Sequence, residues 1–178
     1  FVGITMAKAI AAAKKLPFLA VNHLAGHALT ARLSESLDFP YLLLLVSGGH
    51  SQLVLVKSAL EYALLGTTLD DAVGEAFDKV AKILRLPYPG GPSIEHLAIL
   101  GNHERFKLPR PLLHHKDASL KCSFSFSGLK TAVRQEIEKL ASFQNDDQKD
   151  MAASFQAAVL DILIDRSRNA LEFCLKQK

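Results

Sequence analysis

The amino-acid sequence predicts an α/β or mixed fold, because segments typical of strands and of helices alternate along its 178 residues. Two apolar runs, at residues 41–46 and 53–56, flank a small polar patch and predict a β-hairpin whose first strand is buried on both faces. Farther along, apolar residues from Ala72 to Leu84 recur every three or four positions and predict an amphipathic helix.

Capping and helix-breaking residues define the other predicted elements. Asn22 is a typical N-cap, Thr67 and Thr68 with the acids after them indicate a helix start, and Ser127 caps a later helix. Helices are predicted at residues 2–15, 23–37, 67–86, 93–100, 128–143 and 151–178. Strands are predicted at residues 18–21, 41–46, 53–58 and 122–126, with strand or turn at 60–65.

Composition limits the class of protein. Apolar residues make up 49% of the chain, which is enough for a hydrophobic core, and no apolar run approaches the roughly 20 residues of a membrane helix. The net charge of +3 permits contact with nucleic acid but does not require it. Cys122 and Cys174 lack the spacing of a metal site, which favours free thiols in a reducing compartment. Because Phe1 begins inside an apolar pattern and residues 171–176 are still in helical period, we expect the chain to be part of a longer protein.

Two glycine-rich turns, at residues 47–49 and 89–92, bracket the amphipathic helix. Paired glycines permit positive φ and let a ligand approach backbone amides, so each turn is a candidate anion site, although most such turns only reverse the chain. Asp70 and Asp71 are expected to face solvent and complement the helix dipole, whereas Asp78 lies past the first turn and is a better candidate for a ligand hydroxyl or a magnesium-bound phosphate. Glu95 is either a ribose ligand or an ordinary surface acid. Together these features indicate a nucleotide cleft.

A pair of histidines and a basic loop are further candidates. His23 and His27 lie four residues apart on one predicted helix, a spacing that can present two imidazoles to one metal and that also occurs by chance. Leu24 stands where a zinc protease would have its Glu base, and His50 is the nearest candidate for a third ligand. The loop at residues 102–121 can follow a phosphate backbone, although such loops are usually only solvated.

Five motifs, in their order along the chain, resemble one protein family. They are His23-Leu-Ala-Gly-His27, Leu45-Val-Ser-Gly-Gly-His50, Asp70-Asp-Ala-Val-Gly-Glu-Ala-Phe-Asp-Lys79, Tyr88-Pro-Gly-Gly-Pro92 and Phe124-Ser-Phe-Ser-Gly-Leu-Lys130. The sequence resembles the middle of the TsaD family, the tRNA adenosine threonylcarbamoyltransferases formerly described as O-sialoglycoprotein endopeptidases, in its bacterial or organellar type.

The resemblance implies part of an actin-like ATPase fold, related to sugar kinases, Hsp70 and ribonuclease H, with two lobes around a nucleotide cleft. Residues 1–38 would be the end of the first lobe with the metal-ligand helix. Residues 41–178 would begin the second lobe with the phosphate-loop hairpin, the nucleotide-binding helix and a helical insertion. The implied acyltransferase reaction moves a threonylcarbamoyl group from threonylcarbamoyl-AMP to N6 of the adenosine beside the anticodon, in tRNAs that read codons starting with A.

The resemblance also implies roles for single residues. The metal, one iron or zinc ion, would be held by His23 and His27. The substrate loop would consist of Leu45, Val46, Ser47, Gly48 and Gly49, and the adenylate would be held by Asp78, Gly91 and Glu95. The nucleotide would be ATP or threonylcarbamoyl-AMP, and magnesium is a further candidate ion at its phosphate. No residue is assigned as the general base.

Departures from the family pattern limit what is carried over. Ala25 stands where the family usually has Glu, and Leu45 stands where archaeal and eukaryotic cytosolic members have a metal-facing Tyr. The family's first phosphate loop is expected before Phe1, and its adenine-binding Asn and its third metal ligand, an Asp, after Lys178. We therefore expect this chain alone to have an incomplete metal site and no turnover.

The expected partners are tRNA and either TsaB-like and TsaE-like proteins, in the bacterial type, or a second copy, in the organellar type. No membrane association is expected, and the expected location is the cytoplasm or, as the alternative, the mitochondrial matrix. Two other functions stay open: a carbamoyltransferase on the same scaffold with a small-molecule acceptor, and a non-catalytic paralogue or fragment that serves as a dimerisation partner.

Overall fold

A computed structural model describes residues 1–113 and 115–176 and divides the chain into two compact units, Phe1–Leu37 and Asp38–Lys178. His114 of the predicted basic loop and the last two residues of the predicted final helix lie outside the described residues. None of the described helices is long and apolar enough to cross a membrane.

The first unit consists of two helices, α1 (Val2–Lys14) and α2 (His23–Ser34). The predicted cap of α2 is confirmed, because Asn22 Oδ1 accepts hydrogen bonds from the backbone N–H groups of Leu24 (2.9 Å) and Ala25 (3.2 Å). The predicted strand at residues 18–21 is wrong: the segment pairs with no described strand, and Leu19 and Val21 are largely exposed.

The second unit contains a three-stranded antiparallel sheet in the order β1 (Tyr41–Val46), β2 (Ser51–Val56), β3 (Tyr62–Thr67). The predicted hairpin is confirmed, with Tyr41 opposite Val56 and Val46 opposite Ser51. The prediction that its first strand is buried on both faces is wrong, since Leu44 is 37% and Val46 44% exposed. The reason is that β1 is an edge strand among the described residues.

The second unit also contains four helices: α3 (Val73–Ile83), α4 (Gly90–Ala98), α5 (Ser127–Glu138) and the long α6 (Asn145–Lys176). Helix α6 contacts β1 and β2, and it packs against α4 and α5, which in turn contact α3. Their shared core includes the fully buried side chains of Leu53, Phe124, Phe126, Phe155 and Ile162. A single 3₁₀ turn, Ala118–Leu120, lies in the loop before α5.

Three predicted element boundaries are wrong for one reason: these segments form contacts with residues distant in the sequence, and those contacts outweigh the local preference. The predicted helix start at residues 67–71 is the end of β3 and the turn after it, and α3 begins only at Val73. The predicted strand at 122–126 is reduced to an isolated parallel bridge between Thr68 and Phe124. The N-cap of α5 is Phe126 rather than Ser127, because a distant carboxylate supplies the capping oxygen.

Ion pairs hold the predicted basic loop to α6. Arg105 pairs with Asp147 and Asp150, and Arg110 pairs with Asp161 at 2.8 Å. The guanidinium groups of these two arginines are thus engaged by acids of the same chain, which reduces the cationic surface that the loop offers to a phosphate.

Candidate functional site

A cavity of about 650 Å³ lies in the second unit, where the turn after β1 meets the first turns of α3 and α4 and the middle of α6. Its volume is within the range of small-molecule sites. Its lining includes polar groups, at Ser47, Gly48, Asp78, Gly91, Glu95 and Gln156. It also includes the apolar side chains of Phe77, Val159, Leu160 and Leu163. An amphipathic lining of this kind fits a ligand with one apolar and one polar end.

The turn after β1 is closed by its own serine. Ser47 Oγ accepts hydrogen bonds from the backbone N–H groups of Gly49 (3.3 Å) and His50 (3.0 Å). Among the described residues the N–H of Gly48 has no acceptor, and neither has that of Gly91 in the first turn of α4. The predicted anion site therefore has fewer free N–H groups than a loop in which every amide is unbonded. It offers one free donor from each glycine pair, the N–H of Gly48 and the N–H of Gly91.

Two contacts fasten this turn to the start of α3. Ser51 is fully buried, and its Oγ accepts a hydrogen bond from the N–H of Val73 at 2.9 Å. The N–H of Gly74 donates to the carbonyl oxygen of Ser47 at 3.2 Å. A Cβ at Gly74 would lie 2.8 Å from both Gly48 Cα and Ser47 O, so only glycine permits this approach.

A similar contact joins α3 to α4. Asp78 Oδ1 accepts a hydrogen bond from the N–H of Gly90 at 2.8 Å, and a Cβ at Gly90 would lie 2.7 Å from Asp78 Cα. The predicted turn at residues 89–92 is in fact the first turn of α4, which begins at Gly90 rather than near Ser93. Gly90 thus serves the packing of the two helices.

Other glycines at the site are not required by packing. A Cβ at Gly48, Gly49 or Gly91 would have no heavy atom within 4 Å. Paired glycines permit positive φ, but no described glycine adopts it. What these positions provide is open space beside the backbone, and Gly48 and Gly91 face the cavity.

Asp70 has a different role from the predicted solvent-facing dipole partner. Its Oδ1 accepts a hydrogen bond from the N–H of Phe126 at 2.8 Å, and its Oδ2 accepts hydrogen bonds from the hydroxyls of Ser125 (2.5 Å) and Ser127 (2.9 Å). Partial burial alone would raise the pKa of this carboxyl, but the hydrogen bonds from residues 125–127 outweigh it and hold the pKa below its ordinary value. Asp70 therefore caps α5 from 55 residues away in the sequence.

Six of the eight residues predicted to bind substrate line the one cavity: Val46, Ser47, Gly48, Asp78, Gly91 and Glu95. The other two do not, since Leu45 is buried within β1 and Gly49 lies in the turn outside the lining. Among the described residues, the lining contains two carboxylates and no lysine or arginine. Such a surface suits sugar hydroxyls, which donate to carboxylates, or a bound cation.

The two predicted metal ligands lie together on α2 in the first unit. Their Nε2 atoms are 3.2 Å apart and their ring centroids 4.5 Å. Two nitrogens bound at about 2.05 Å to one tetrahedral zinc would be roughly 3.3 Å apart, so His23 and His27 fit a shared metal. No group of three His, Cys, Asp or Glu side chains among residues 1–113 and 115–176 is arranged to hold a metal ion, so the third ligand is not identified and His50 stays a prediction.

The part of the cavity lining that α6 contributes was not predicted from the sequence. Gln156, Val159, Leu160 and Leu163 line the cavity. Their spacing is that of an ordinary helix face, and Leu160 is 54% exposed. In the sequence, this helix face differs from an ordinary one only by the polar amide of Gln156 within an apolar stretch, and that is a weak signal.

Comparison with known proteins places this chain in a family. The family model described as TsaD, tRNA N6-adenosine threonylcarbamoyltransferase, matches residues 1–178. Curated relatives of that name include one from Methylocapsa acidiphila, 61% identical over 170 residues, which cover 96% of this chain and 47% of the relative. Those from Methylobacterium nodulans and Brucella anthropi are each 59% identical over 96% of this chain, and the match covers 48% and 46% of their lengths. The chain spans about half the length of these relatives. It belongs to the TsaD family.

Proposed function

We propose that the protein to which this chain belongs transfers a threonylcarbamoyl group from threonylcarbamoyl-AMP to N6 of the adenosine beside the anticodon, in tRNAs that read codons starting with A. The observation that supports this function is the single cavity that gathers Ser47, Gly48, Asp78, Gly91 and Glu95, the residues that the family pattern assigns to the adenylate. The tRNA acceptor is supported by the printed names of the relatives.

The lining suggests how an adenylate would lie. Asp78 and Glu95 would accept hydrogen bonds from the ribose hydroxyls, and the free N–H groups of Gly48 and Gly91 would donate to the phosphate. The adenine ring would lie against the apolar wall of α6. This arrangement would place each part of the ligand beside lining groups of matching polarity.

In the reaction the N6 amine forms a bond to the carbamoyl carbon, and the bond from that carbon to the phosphate oxygen breaks. AMP leaves with the electron pair, and the amine loses a proton. Holding the mixed anhydride against Val159 and Leu163 would shield its reactive carbon from water, which competes with the amine as a nucleophile. Fixing the ribose at Asp78 and Glu95 would orient that carbon for attack.

A divalent iron or zinc ion would be held by His23 and His27. When bound, such an ion supplies Lewis-acid polarisation of a carbamoyl or phosphate oxygen. A magnesium ion beside Asp78 is the corresponding proposal for the phosphate of ATP, since that carboxylate faces the cavity.

The wider context is also proposed from the family. Residues 1–38 would form the end of the first lobe of an actin-like fold, and residues 41–178 would form the beginning of the second lobe. The small sheet and the helices of the second unit are consistent with part of such a fold. The partners would be TsaB-like and TsaE-like proteins or a second copy, and the location the cytoplasm or the mitochondrial matrix.

A chimera tests the function directly. The segment of the Methylocapsa acidiphila relative that matches this chain is replaced by the chain, and transfer of labelled threonylcarbamoyl to an unmodified tRNA transcript is measured. We expect transfer, and we expect Glu95→Ala to lower the affinity for the adenylate at least tenfold, because a charge-assisted hydrogen bond is lost. Glu61→Ala, which removes an exposed glutamate outside the cavity lining, is the matched control.

Two results would contradict the proposal. One is a folded chimera that is inactive where the unaltered relative is active. The other is transfer to a small-molecule acceptor with none to tRNA, which would support the alternative carbamoyltransferase.

A further inference from the structure

A second cavity, of about 570 Å³, adjoins the first at Asp78. It lies between the end of α3 and the segment that leads into α4, and we call it the α3–α4 groove. The residues that line it include Lys79, Lys82, Arg85 and Tyr88. The two cavities differ in charge. Among the described residues, the charged side chains that line the first cavity are the carboxylates Asp78 and Glu95, whereas the groove combines three cations with one carboxylate, Asp78.

The cations of the groove are not equivalent. Lys79 is neutralised locally, since its Nζ lies 2.6 Å from Asp71 and 2.8 Å from Glu75. Lys82 and Arg85 are exposed, and neither forms an ion pair within the part of the chain that the structure describes. Two positive charges in the groove are therefore available to an anion.

The backbone holds Arg85 in an unfavourable conformation. Its φ is 57°, in the left-handed region that glycine adopts without cost, and its N–H donates to the carbonyl oxygen of Lys82 at 3.2 Å. The N–H of Leu86 closes the same helix end by donating to Ala81 at 2.9 Å. Glycine is the usual residue after such a helix end, so the backbone conformation does not favour a long cation at this position.

The helix dipole accounts for only part of this pattern. A cation in the last turn of α3, such as Lys82, offsets the partial negative charge there. That effect does not explain why Tyr88 is 84% exposed in the same groove, between Pro87 and Pro89. A protruding aromatic ring beside cations is a combination that binds unpaired nucleotides, since the ring stacks on bases and the cations meet phosphates.

From these observations we infer that the α3–α4 groove binds the sugar-phosphate backbone of the RNA acceptor next to the reacting nucleotide. The inference rests on the proposed function, which requires an RNA nucleotide to reach the neighbouring cavity. Asp78 and Glu95 would repel the phosphates that flank this nucleotide, and Lys82 and Arg85 lie where those phosphates would pass. Tyr88 would stack on an unpaired base.

The test compares variants of this chain for affinity to an unmodified tRNA transcript, measured by fluorescence anisotropy between 50 and 200 mM KCl, a range over which phosphate contacts dominate. Arg85→Gly and Lys82→Ala should each weaken binding about five- to eightfold at 0.1 M salt and lower the salt slope by about 0.7 to 0.9. Tyr88→Ala should weaken binding to tRNA but not to a fully paired RNA duplex, in which no base is free to stack.

The chain contains a matched control. Lys15 is also a cation with left-handed backbone, at φ 54°, after the end of α1. Lys15→Gly removes the same charge and relieves the same backbone conformation as Arg85→Gly, so both should unfold at or above the temperature of the unaltered chain. Only Arg85→Gly should lose affinity for tRNA beyond twofold.

The inference is overturned if the chain does not bind tRNA, or if Arg85→Gly and Lys82→Ala bind it as Lys15→Gly does at every salt concentration. AMP binding, measured in parallel, separates this result from the proposed function. Loss of tRNA affinity in the groove variants of a chain that does not bind AMP would support the groove and count against the adenylate site. AMP binding together with groove-independent tRNA binding would do the reverse.

Discussion

Gly90 and Gly91 are neighbours in the first turn of α4, yet the structure predicts opposite consequences for the same substitution. A Cβ at Gly90 would lie 2.7 Å from Asp78 Cα and Phe77 O and 2.9 Å from Ala81 Cβ. Backbone atoms of α3 cannot move aside as a flexible side chain can, so α4 must shift. Overpacking of this kind costs about 1–3 kcal/mol.

For Gly91→Ala the same reasoning gives no such cost. A Cβ at this position would have nothing within 4 Å, and the backbone already has helical geometry. Replacing glycine by alanine in a helix gains up to about 1 kcal/mol, and less in a first turn. The new methyl group would instead enter the cavity beside the free N–H. We expect it to weaken adenylate binding about tenfold or more, which is about 1.4 kcal/mol.

Both variants are measured in the same two assays, thermal unfolding and calorimetric titration with AMP. For a unit of this size, 1 kcal/mol corresponds to roughly 3–4 °C. Gly90→Ala should unfold several degrees lower, and Gly91→Ala should unfold at or above the original temperature while losing affinity for AMP. The reasoning is refuted if Gly91→Ala is destabilised as much as Gly90→Ala, or if it binds AMP as well as the unaltered chain does.

Three further predictions concern the connections around the site. Asp70→Ala should lower the free energy of unfolding by about 1 kcal/mol in urea titrations, since a cap of α5 is lost at a partly exposed position, and an unchanged midpoint would contradict that role. The hydrogen bonds that Asp70, Asp117 and Asp150 accept lower the pKa values of these carboxyls in the folded state. Their contribution to the stability of the fold is therefore complete above about pH 4 and is lost as the pH falls through the folded-state pKa values. The unfolding temperature should accordingly fall between pH 7 and pH 2.5, and it should fall less steeply for Asp70→Asn. Gly74→Ala should displace the turn at Ser47 and weaken AMP binding together with stability, whereas a loss of affinity at unchanged stability would argue against the packing contact.

Local sequence signals predicted the elements whose stabilising contacts lie within a few residues. Asn22 caps α2 through amides two and three positions away, and the hairpin of β1 and β2 closes across four residues. The apolar period of α3 was correct because the helix buries one continuous face, including Val73, Ala76 and Val80. These features depend on spacing, and spacing is visible in a single sequence.

Features that depend on distant partners could not be predicted in the same way. The acids at residues 70–71 have the composition of a helix start, but Asp70 is committed to the N-terminus of α5. The strand-like alternation at 122–126 is real, yet only Phe124 pairs with a neighbouring segment. In both cases the competing contact lies more than 50 residues away, where no local rule applies.

The site could be predicted only in part, because glycine has two different roles in this chain. Gly74 and Gly90 are required because neighbouring backbone atoms leave no room for a Cβ, whereas Gly48 and Gly91 are open toward the cavity. The sequence alone does not distinguish the two roles. Among the described residues the cavity lining has two carboxylates and no lysine or arginine, so in the proposed function the charge of a bound phosphate is met by these exposed amides or by a cation. We expect an alanine at either open glycine to remove that access without disturbing the fold. In the proposed function, glycines at such positions are therefore part of the binding chemistry.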